Sequence, residues 1–225
     1  MPRHARAVFP GVPHHVTQRG NHRERVFFEI GDEDSYLSLL QIASRQEKVG
    51  VVAYCLMPNH VHLVLVPSTA DGLHHVLMSV HGQYAQRINR MRDLKGHLWQ
   101  GRYFSSPLDA NYFTNAVRYV ELNPVRAGIV TKAEDYCWSS ASAHCGLRHD
   151  PVLEPAPRFI ALKGIVDWSR WLGDGIADEL LCVLRDRASR NLPCGSSEFI
   201  AELEHAAGRE LRARPRGGQA KQSTS

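Results

Sequence analysis

The sequence predicts an α+β fold in which one antiparallel sheet has helices on one of its faces and a helical extension follows at the C-terminus. Two observations predict it. Short apolar runs typical of strands are interleaved along the chain with segments whose apolar residues recur at helical spacing. In chain order these segments are strand, helix, strand, strand, helix, strand, which is the split β-α-β arrangement of ferredoxin-like folds.

Three strands and one helix are predicted in the early part of the chain. The first strand, His15–Gly20, ends at a Gly-Asn turn. The first helix runs from about Asp32 to Lys48, because acidic residues fill its first turn, where the helix dipole favours negative charge. Residues 51–66 form two buried strands that meet at a Pro-Asn turn, so the second of them begins close to His60.

Two more helices and one strand complete the predicted sheet domain. A helix spans roughly Gly72–Arg92, where apolar residues recur at helical spacing. A short fourth strand covers Arg102–Ser106. The third helix runs from about Asn111 to Leu122, with Asp109 as its cap and Pro124 ending it.

The C-terminal third of the chain is predicted to be a separate helical region. Two amphipathic patterns, around residues 176–188 and 199–207, are joined by a tight turn and are followed by a basic tail that should be disordered beyond Arg214. Such a pair could be a helix-turn-helix that reads DNA or a simple packing hairpin. The predicted segments are a domain over residues 1–148, an extended linker over 149–157 and a helical extension over 158–225.

Arginines cluster in three regions of this mildly basic chain, whose net charge is +4 and whose pI is about 8.9. The clusters lie in residues 1–31, 83–102 and 209–221. A planar guanidinium can bind phosphate through two hydrogen bonds, so the clusters are compatible with a nucleic-acid partner. For any single cluster a solvated surface is the more ordinary explanation.

Composition argues against a membrane protein and against a disulfide or zinc-ribbon scaffold. No apolar run approaches the roughly 18 residues of a membrane span. The five cysteines are odd in number and form no C-x-x-C pair. We therefore expect an intracellular protein of the reducing cytoplasm with no membrane partner.

Two histidines, His60 and His62, stand at the start of an apolar strand. Because side chains alternate along a strand, positions i and i+2 share a face, and both imidazoles can converge on one cation. The ordinary alternative is a pair of packed histidines, each satisfied by a hydrogen bond. Burying both rings without partners would cost on the order of 1–3 kcal/mol each, so a partner is expected between them.

The third predicted helix aligns three polar side chains beside its apolar stripe. Asn115, Tyr119 and Asn123 are spaced i, i+4 and i+8, so they form one column. In the split β-α-β topology this helix can pack where Tyr119 overlooks the histidines. A tyrosine packed on a helix with its hydroxyl at the surface is the alternative.

Four motifs in order resemble the REP-associated tyrosine transposases, a branch of the single-tyrosine HUH transposases, where U is a hydrophobic residue between two histidines. Together they cover roughly residues 10–145. The motifs are His15-Val16-Thr17-Gln18-Arg19-Gly20-Asn21, Pro58-Asn59-His60-Val61-His62, Trp99-Gln100-Gly101-Arg102-Tyr103 and Arg118-Tyr119-Val120-Glu121-Leu122-Asn123-Pro124-Val125-Arg126-Ala127-Gly128.

The resemblance implies an enzyme that cleaves and rejoins single-stranded DNA beside hairpins formed by repetitive extragenic palindromes. It implies that His60 and His62 bind a divalent cation, Mg²⁺ or Mn²⁺, and that Tyr119 is the nucleophile. Related insertion-sequence transposases supply a third ligand one helical turn after the tyrosine, and that position is Asn123. Attack by the tyrosine would leave a 5′-phosphotyrosine and a free 3′-hydroxyl. Such enzymes occur as monomers or as homodimers.

Candidate DNA contacts lie in the first and third motifs and on the second helix. Arginine can read guanine with two hydrogen bonds, and an aromatic ring can stack on an unpaired base, a role predicted for Tyr103. The predicted contact residues are Arg19, Asn21, Arg23, Arg87, Gln100, Arg102 and Tyr103.

Three other functions compete with this interpretation. A catalytically silent DNA-binding regulator on the same fold would not need His60, His62 and Tyr119 together. A metal-dependent hydrolase of small substrates would need a general base and would remain active without Tyr119. A replication initiator or relaxase would use the same chemistry within a larger protein.

Overall fold

The computed structural model describes residues 6–154 and 159–212 and contains one four-stranded sheet. The strand order is β2-β3-β1-β4, and every neighbouring pair is antiparallel. This arrangement confirms the predicted α+β, split β-α-β fold. The strands are β1 His14–Arg19, β2 Val49–Met57, β3 His60–Pro67 and β4 Phe104–Pro107.

The long helices lie where periodicity predicts them, whereas the short ones escape prediction. The helices are α1 Asp32–Gln46, α2 Gly72–Met91, α3 Ala110–Glu121, α4 Asn123–Arg126, α5 Ala141–His144, α6 Trp168–Gly173, α7 Asp178–Arg190 and α8 Ser197–Ala207. The Asp109 side chain accepts a hydrogen bond from the Tyr112 amide at the start of α3, as predicted for a cap. Single 3₁₀ turns occur at Asn21–Arg23, Ala133–Asp135 and Ile160–Leu162.

Helices cover both faces of the sheet, which corrects the expectation that they lie on one face only. Val61, Leu63 and Leu65 of β3 pack with α1 and α2, whereas Val64 packs with α3 on the opposite face. The physical reason is the composition of β3, which is apolar on both sides and must be shielded from water on both. The two histidines of β3 therefore share the face covered by α3.

The helical extension packs against α3 and β4 instead of standing apart from the sheet. Trp168 and Leu184 are buried in the same apolar cluster as Val117 of α3. Backbone hydrogen bonds tie the turn after α7 to the end of β4, since the Cys194 amide donates to the Pro107 carbonyl at 2.8 Å. The domain boundaries remain predictions, but α7 lies directly beside the sheet.

The first part of the predicted linker is bound to β2. The Glu154 amide donates to the Val51 carbonyl at 2.8 Å, and the Tyr54 hydroxyl donates to the Asp150 carboxylate. Linker residues 155–157 and the tail beyond Arg214 lie outside the described residues. Among the helices that are described, none combines the length and apolar character needed to cross a membrane.

Candidate active site

A pocket of about 440 Å³ lies on the sheet face covered by α3. Strands β1 and β3 form its floor, and α3, α4 and α7 form its walls. Among the described residues that line it, several are basic or histidine and none is acidic. Such a lining favours an anionic ligand. The polar lining residues are His15, Thr17, Gln18, Arg19, His60, His62, Gln100, Tyr119, Asn123, Arg126, Arg185 and Ser189.

His60 and His62 face this pocket together. Their ring centroids are 4.9 Å apart, and the Nδ1 of His60 is 2.6 Å from the Oδ1 of Asn59. Burial lowers the pKa of His60 to about 4, with Arg19 adding to the effect, and burial lowers the pKa of His62 well below its ordinary value. Both imidazoles are therefore neutral at pH 7, the form in which histidine binds a metal.

His15 of β1 is a direct partner of His62. The Nε2 of His15 lies 3.0 Å from the Nδ1 of His62, and the two rings stack with centroids 5.2 Å apart. If the His62 Nδ1 donates this hydrogen bond, the Nε2 of His62 is left with its lone pair for a ligand. The proton of His15 then sits on its own Nδ1, which is buried and has no partner among the described residues.

Tyr119 reaches the histidines from α3, as the topology predicts. Its ring centroid is 5.4 Å from those of His15 and His62, with the planes close to perpendicular. The guanidinium carbon of Arg126 lies over the tyrosine ring, 4.8 Å from its centroid. The phenol, the imidazoles and a cationic donor are thus brought together at one point.

Asn123 shares the pocket, whereas Asn115 does not line it. The Nδ2 of Asn123 donates to the Tyr119 carbonyl at 2.9 Å, which leaves its Oδ1 available to a ligand. Glu121 is committed elsewhere: it is fully buried and accepts hydrogen bonds from His144 Nδ1 at 2.6 Å and Trp168 Nε1 at 2.7 Å. Across the described part of the chain, no three His, Cys, Asp or Glu residues are grouped to hold a metal ion. A candidate metal set therefore consists of two imidazoles and one amide.

The predicted DNA contacts divide between the pocket and other surfaces. Arg19 and Gln100 line the pocket, and the backbone N–H of Gln100 donates to the backbone carbonyl of Arg19 at 2.8 Å. Asn21 and Arg23 lie just beyond β1, where Asn59 Nδ2 donates to the Arg23 carbonyl. These four residues form a polar rim next to the histidines.

The remaining predicted contacts are not brought to this pocket. Arg102 and Tyr103 line a separate groove beside α2, and Arg87 is exposed on α2, which covers the opposite face of the sheet. The Tyr103 ring is only 7% exposed, with the guanidinium carbon of Arg6 3.9 Å from its centroid. Stacking of a base on Tyr103 would require Arg6 to move.

The pocket is also lined by residues that were not predicted as site residues, among them His15, Phe104, Arg126 and Arg185. The sequence gives a weak indication of His15, because side chains alternate along a strand and His15 therefore lies on the same face as Arg19. Arg126 stands within the fourth motif. Arg185 has no signal in the sequence, because only packing of α7 brings it to the pocket.

A family model described as "Transposase IS200 like" matches residues 10–123, just over half of the chain. The chain therefore belongs to the IS200-like transposase family. The matched region contains both histidines, Tyr119 and Asn123, and it ends before Arg126.

Two further matches carry the name of one branch of that family. A Haemophilus influenzae protein named "Putative REP-associated tyrosine transposase" is 26% identical over 100 residues, covering 40% of this chain and 57% of that protein. A solved structure of a REP-associated tyrosine transposase bound to a REP hairpin has a TM-score of 0.54 and 19% identity, covering 69% of this chain and 92% of that one. That solved structure has the same fold as this chain. The resemblance to REP-associated tyrosine transposases is thereby confirmed, although the chain spans little more than half of the curated relative.

Proposed function

We propose that this chain cleaves and rejoins single-stranded DNA next to palindromic hairpins through a 5′-phosphotyrosine intermediate on Tyr119. The observation that carries the proposal is the meeting of the Tyr119 and His62 rings, 5.4 Å apart, in a basic pocket. A packed tyrosine needs no such neighbours. Nucleophile, ligand imidazoles and cationic donors are the groups that phosphodiester cleavage by a tyrosine requires.

The residues fit a divalent cation held by His60, His62 and Asn123. Both imidazoles are neutral, and hydrogen bonds at their Nδ1 atoms leave the Nε2 atoms for a metal. Imidazole ligands favour Mn²⁺, whereas amide, water and phosphate oxygens also suit Mg²⁺. When bound, the cation would neutralise and orient a non-bridging phosphate oxygen.

The protein's own groups perform the transfer. The Tyr119 hydroxyl oxygen forms a bond to phosphorus while the bond from phosphorus to the 3′ oxygen breaks, and the phenol proton ends on the released 3′-hydroxyl. The positive charge of Arg126, whose guanidinium carbon is 4.8 Å from the Tyr119 ring centroid, stabilises negative charge that develops on the phenol oxygen. Attack by a 3′-hydroxyl on the phosphotyrosine reverses the step. Because the phosphodiester energy is retained, rejoining needs no nucleotide cofactor.

Hairpin binding is proposed for the polar rim beside the histidines. Arg19 and Gln100 line the pocket, and Asn21 and Arg23 follow β1 directly. The relative of known structure was solved with a REP hairpin, which supports this ligand class. Sequence choice by these side chains would follow the two-hydrogen-bond pairing of arginine with guanine.

The test is formation of a covalent protein–DNA adduct. Wild-type protein is incubated with Mn²⁺ and with single strands that carry a palindromic hairpin and unpaired flanks, and the products are separated on a denaturing gel. We expect an adduct that Tyr119→Phe abolishes and that EDTA prevents. Tyr112→Phe is the matched control, because it removes a hydroxyl from the same helix outside the pocket. Hairpin binding without any adduct would instead support the silent regulator.

A further inference from the structure

The helical extension contributes a basic side chain to the pocket, outside the region that the family model matches. Arg185 and Ser189 of α7 line the pocket opposite Tyr119. They are spaced i and i+4, so they share one helix face, while Leu184 is buried against the core. The placement of Arg185 is therefore a property of the helix and does not depend on a loop.

Hydrogen bonds to β4 hold the C-terminal end of α7 against the sheet. The Asn191 residue that ends α7 accepts a hydrogen bond from the Ser105 amide at 2.9 Å, and the Leu192 carbonyl accepts one from the Ser106 hydroxyl. Both partners belong to β4, whose neighbour β1 carries His15. The position of helix α7, and so of the Arg185 backbone, is consequently fixed relative to the histidines through the sheet.

Arg126 of α4, beside Tyr119, and Arg185 of α7 line this pocket, and both are exposed to solvent. Partial burial of the guanidinium, together with the positive charge of Arg185, lowers the pKa of Arg126. None of the described residues lining the pocket is acidic, and the acidic neighbour Asp186 pairs with Arg190 at 3.5 Å. Two guanidinium groups lining one pocket that has no acidic side chain among these residues favour an anionic ligand there.

We propose that Arg126 and Arg185 together bind the DNA phosphate that Tyr119 attacks, so that the helical extension completes the active site. This inference rests on the proposed function. Arginine suits the task because its planar fork can bind two phosphate oxygens at once. Negative charge on those oxygens increases as the phenol oxygen bonds to phosphorus, so the pair assists the transition state more than the bound substrate.

The experiment measures adduct formation and DNA binding in Arg185→Ala, Arg185→Lys and Arg190→Ala. Arg190 is the matched control, because it lies on the same helix and does not line the pocket. At saturating hairpin DNA we expect Arg185→Ala to slow adduct formation on the order of 100-fold, with partial recovery in Arg185→Lys. DNA binding measured without metal should depend less on salt in Arg185→Ala than in wild type. The slope of the logarithm of the binding constant against the logarithm of salt concentration should fall in magnitude by about 0.7.

The outcomes separate this inference from the proposed function. Equal adduct rates and equal salt slopes in Arg185→Ala and Arg190→Ala would overturn the inference while leaving the nuclease proposal standing. If wild type binds DNA but forms no adduct, the nuclease proposal fails, and the salt slope of Arg185→Ala still decides whether Arg185 contacts phosphate. Wild type that binds no single strand at all overturns both. Circular dichroism spectra of all variants establish that each is folded.

Discussion

The Nε2 of His15 and the Nδ1 of His62 lie 3.0 Å apart, with their rings stacked at 15°. Because β1 and β3 are antiparallel with Thr17 opposite His62, His15 sits diagonally across from His62 on the same face. When the His62 Nδ1 donates this hydrogen bond, it orients the His62 ring and leaves the Nε2 of His62 for a ligand. His15 is therefore a positioning residue for His62.

Loss of His15 should weaken metal binding without removing a ligand. We expect His15→Ala to reduce Mn²⁺ affinity by about 10- to 100-fold, measured by isothermal titration calorimetry. His15→Gln keeps a hydrogen-bond acceptor for the His62 Nδ1 and should recover part of the loss. The control is His75→Ala, since His75 is an exposed residue that contacts Glu47 far from the pocket. Unchanged affinity in His15→Ala would contradict the positioning role.

Phe104 is an exposed aromatic side chain in the pocket, and we expect an unpaired base to stack on it. Phe104 is 38% exposed and lines the pocket, whereas the Tyr103 ring is covered by Arg6. Stacking of a base on an aromatic ring contributes about 1–3 kcal/mol. We expect Phe104→Leu to weaken single-strand binding about 10-fold in fluorescence anisotropy, because 1.4 kcal/mol corresponds to a factor of ten. Phe104→Tyr should bind like wild type.

A different result would assign stacking to another ring. Equal affinity in Phe104→Leu and wild type would show that no base rests on Phe104. Tyr103→Phe serves as the control, because it keeps the ring beneath Arg6 and removes only a hydroxyl.

Glu121 should matter for stability and not for metal binding. Its buried carboxylate accepts hydrogen bonds from Ser140, His144 and Trp168, which join α3 to the segments that follow it. Replacement by glutamine turns one acceptor oxygen into a donor facing these donors, at a cost of about 1–3 kcal/mol. We expect Glu121→Gln to lower the urea midpoint and leave Mn²⁺ affinity within about two-fold, a negligible free-energy change.

The comparison variant is Asn123→Ala. It removes the candidate amide ligand and should weaken Mn²⁺ binding more than Glu121→Gln does. If Glu121→Gln instead lost metal affinity while Asn123→Ala kept it, the ligand assignment would have to pass from the amide to the carboxylate.

Acid should destabilise the fold through buried neutral histidines. Burial lowers the pKa of His14 to about 4 and that of His81 to about 3. The unfolded chain, with imidazoles near pKa 6.5, binds more protons below that pH. The neutral imidazoles therefore stabilise the fold fully above about pH 6.5. This stabilisation is lost as pH falls towards about 4 for His14 and about 3 for His81, on the order of 3 and 5 kcal/mol respectively.

Urea unfolding of the metal-free protein at about pH 7.5 and about pH 4.5 measures this loss. We expect His81→Gln to lose less stability between the two conditions than wild type, because glutamine does not titrate and can still hydrogen bond to the Tyr36 hydroxyl. His75→Gln, at an exposed position, should follow wild type. If the free energy of unfolding of wild type did not fall between the two pH values, the conclusion that His14 and His81 are buried in the neutral form would be contradicted.

Local periodicity in the sequence was sufficient to predict the strands, the long helices and the first members of the site. Alternation along a strand placed His60 and His62 on one face, and helical spacing placed Tyr119 and Asn123 in one column. The structure has these residues in one pocket, as predicted. Both periods are properties of the backbone itself, so a single segment carries the information.

Tertiary structure decided everything that depends on which segments meet. The covering of both sheet faces, the pairing of His15 with His62, the arrival of Arg185 from α7 and the burial of Tyr103 all follow from strand register and helix packing. Such contacts join residues far apart in the chain, and their geometry is set by the packing of many apolar side chains at once. The period of one segment carries no record of that packing, which is why the sequence determined the local chemistry and only the fold determined its full surroundings.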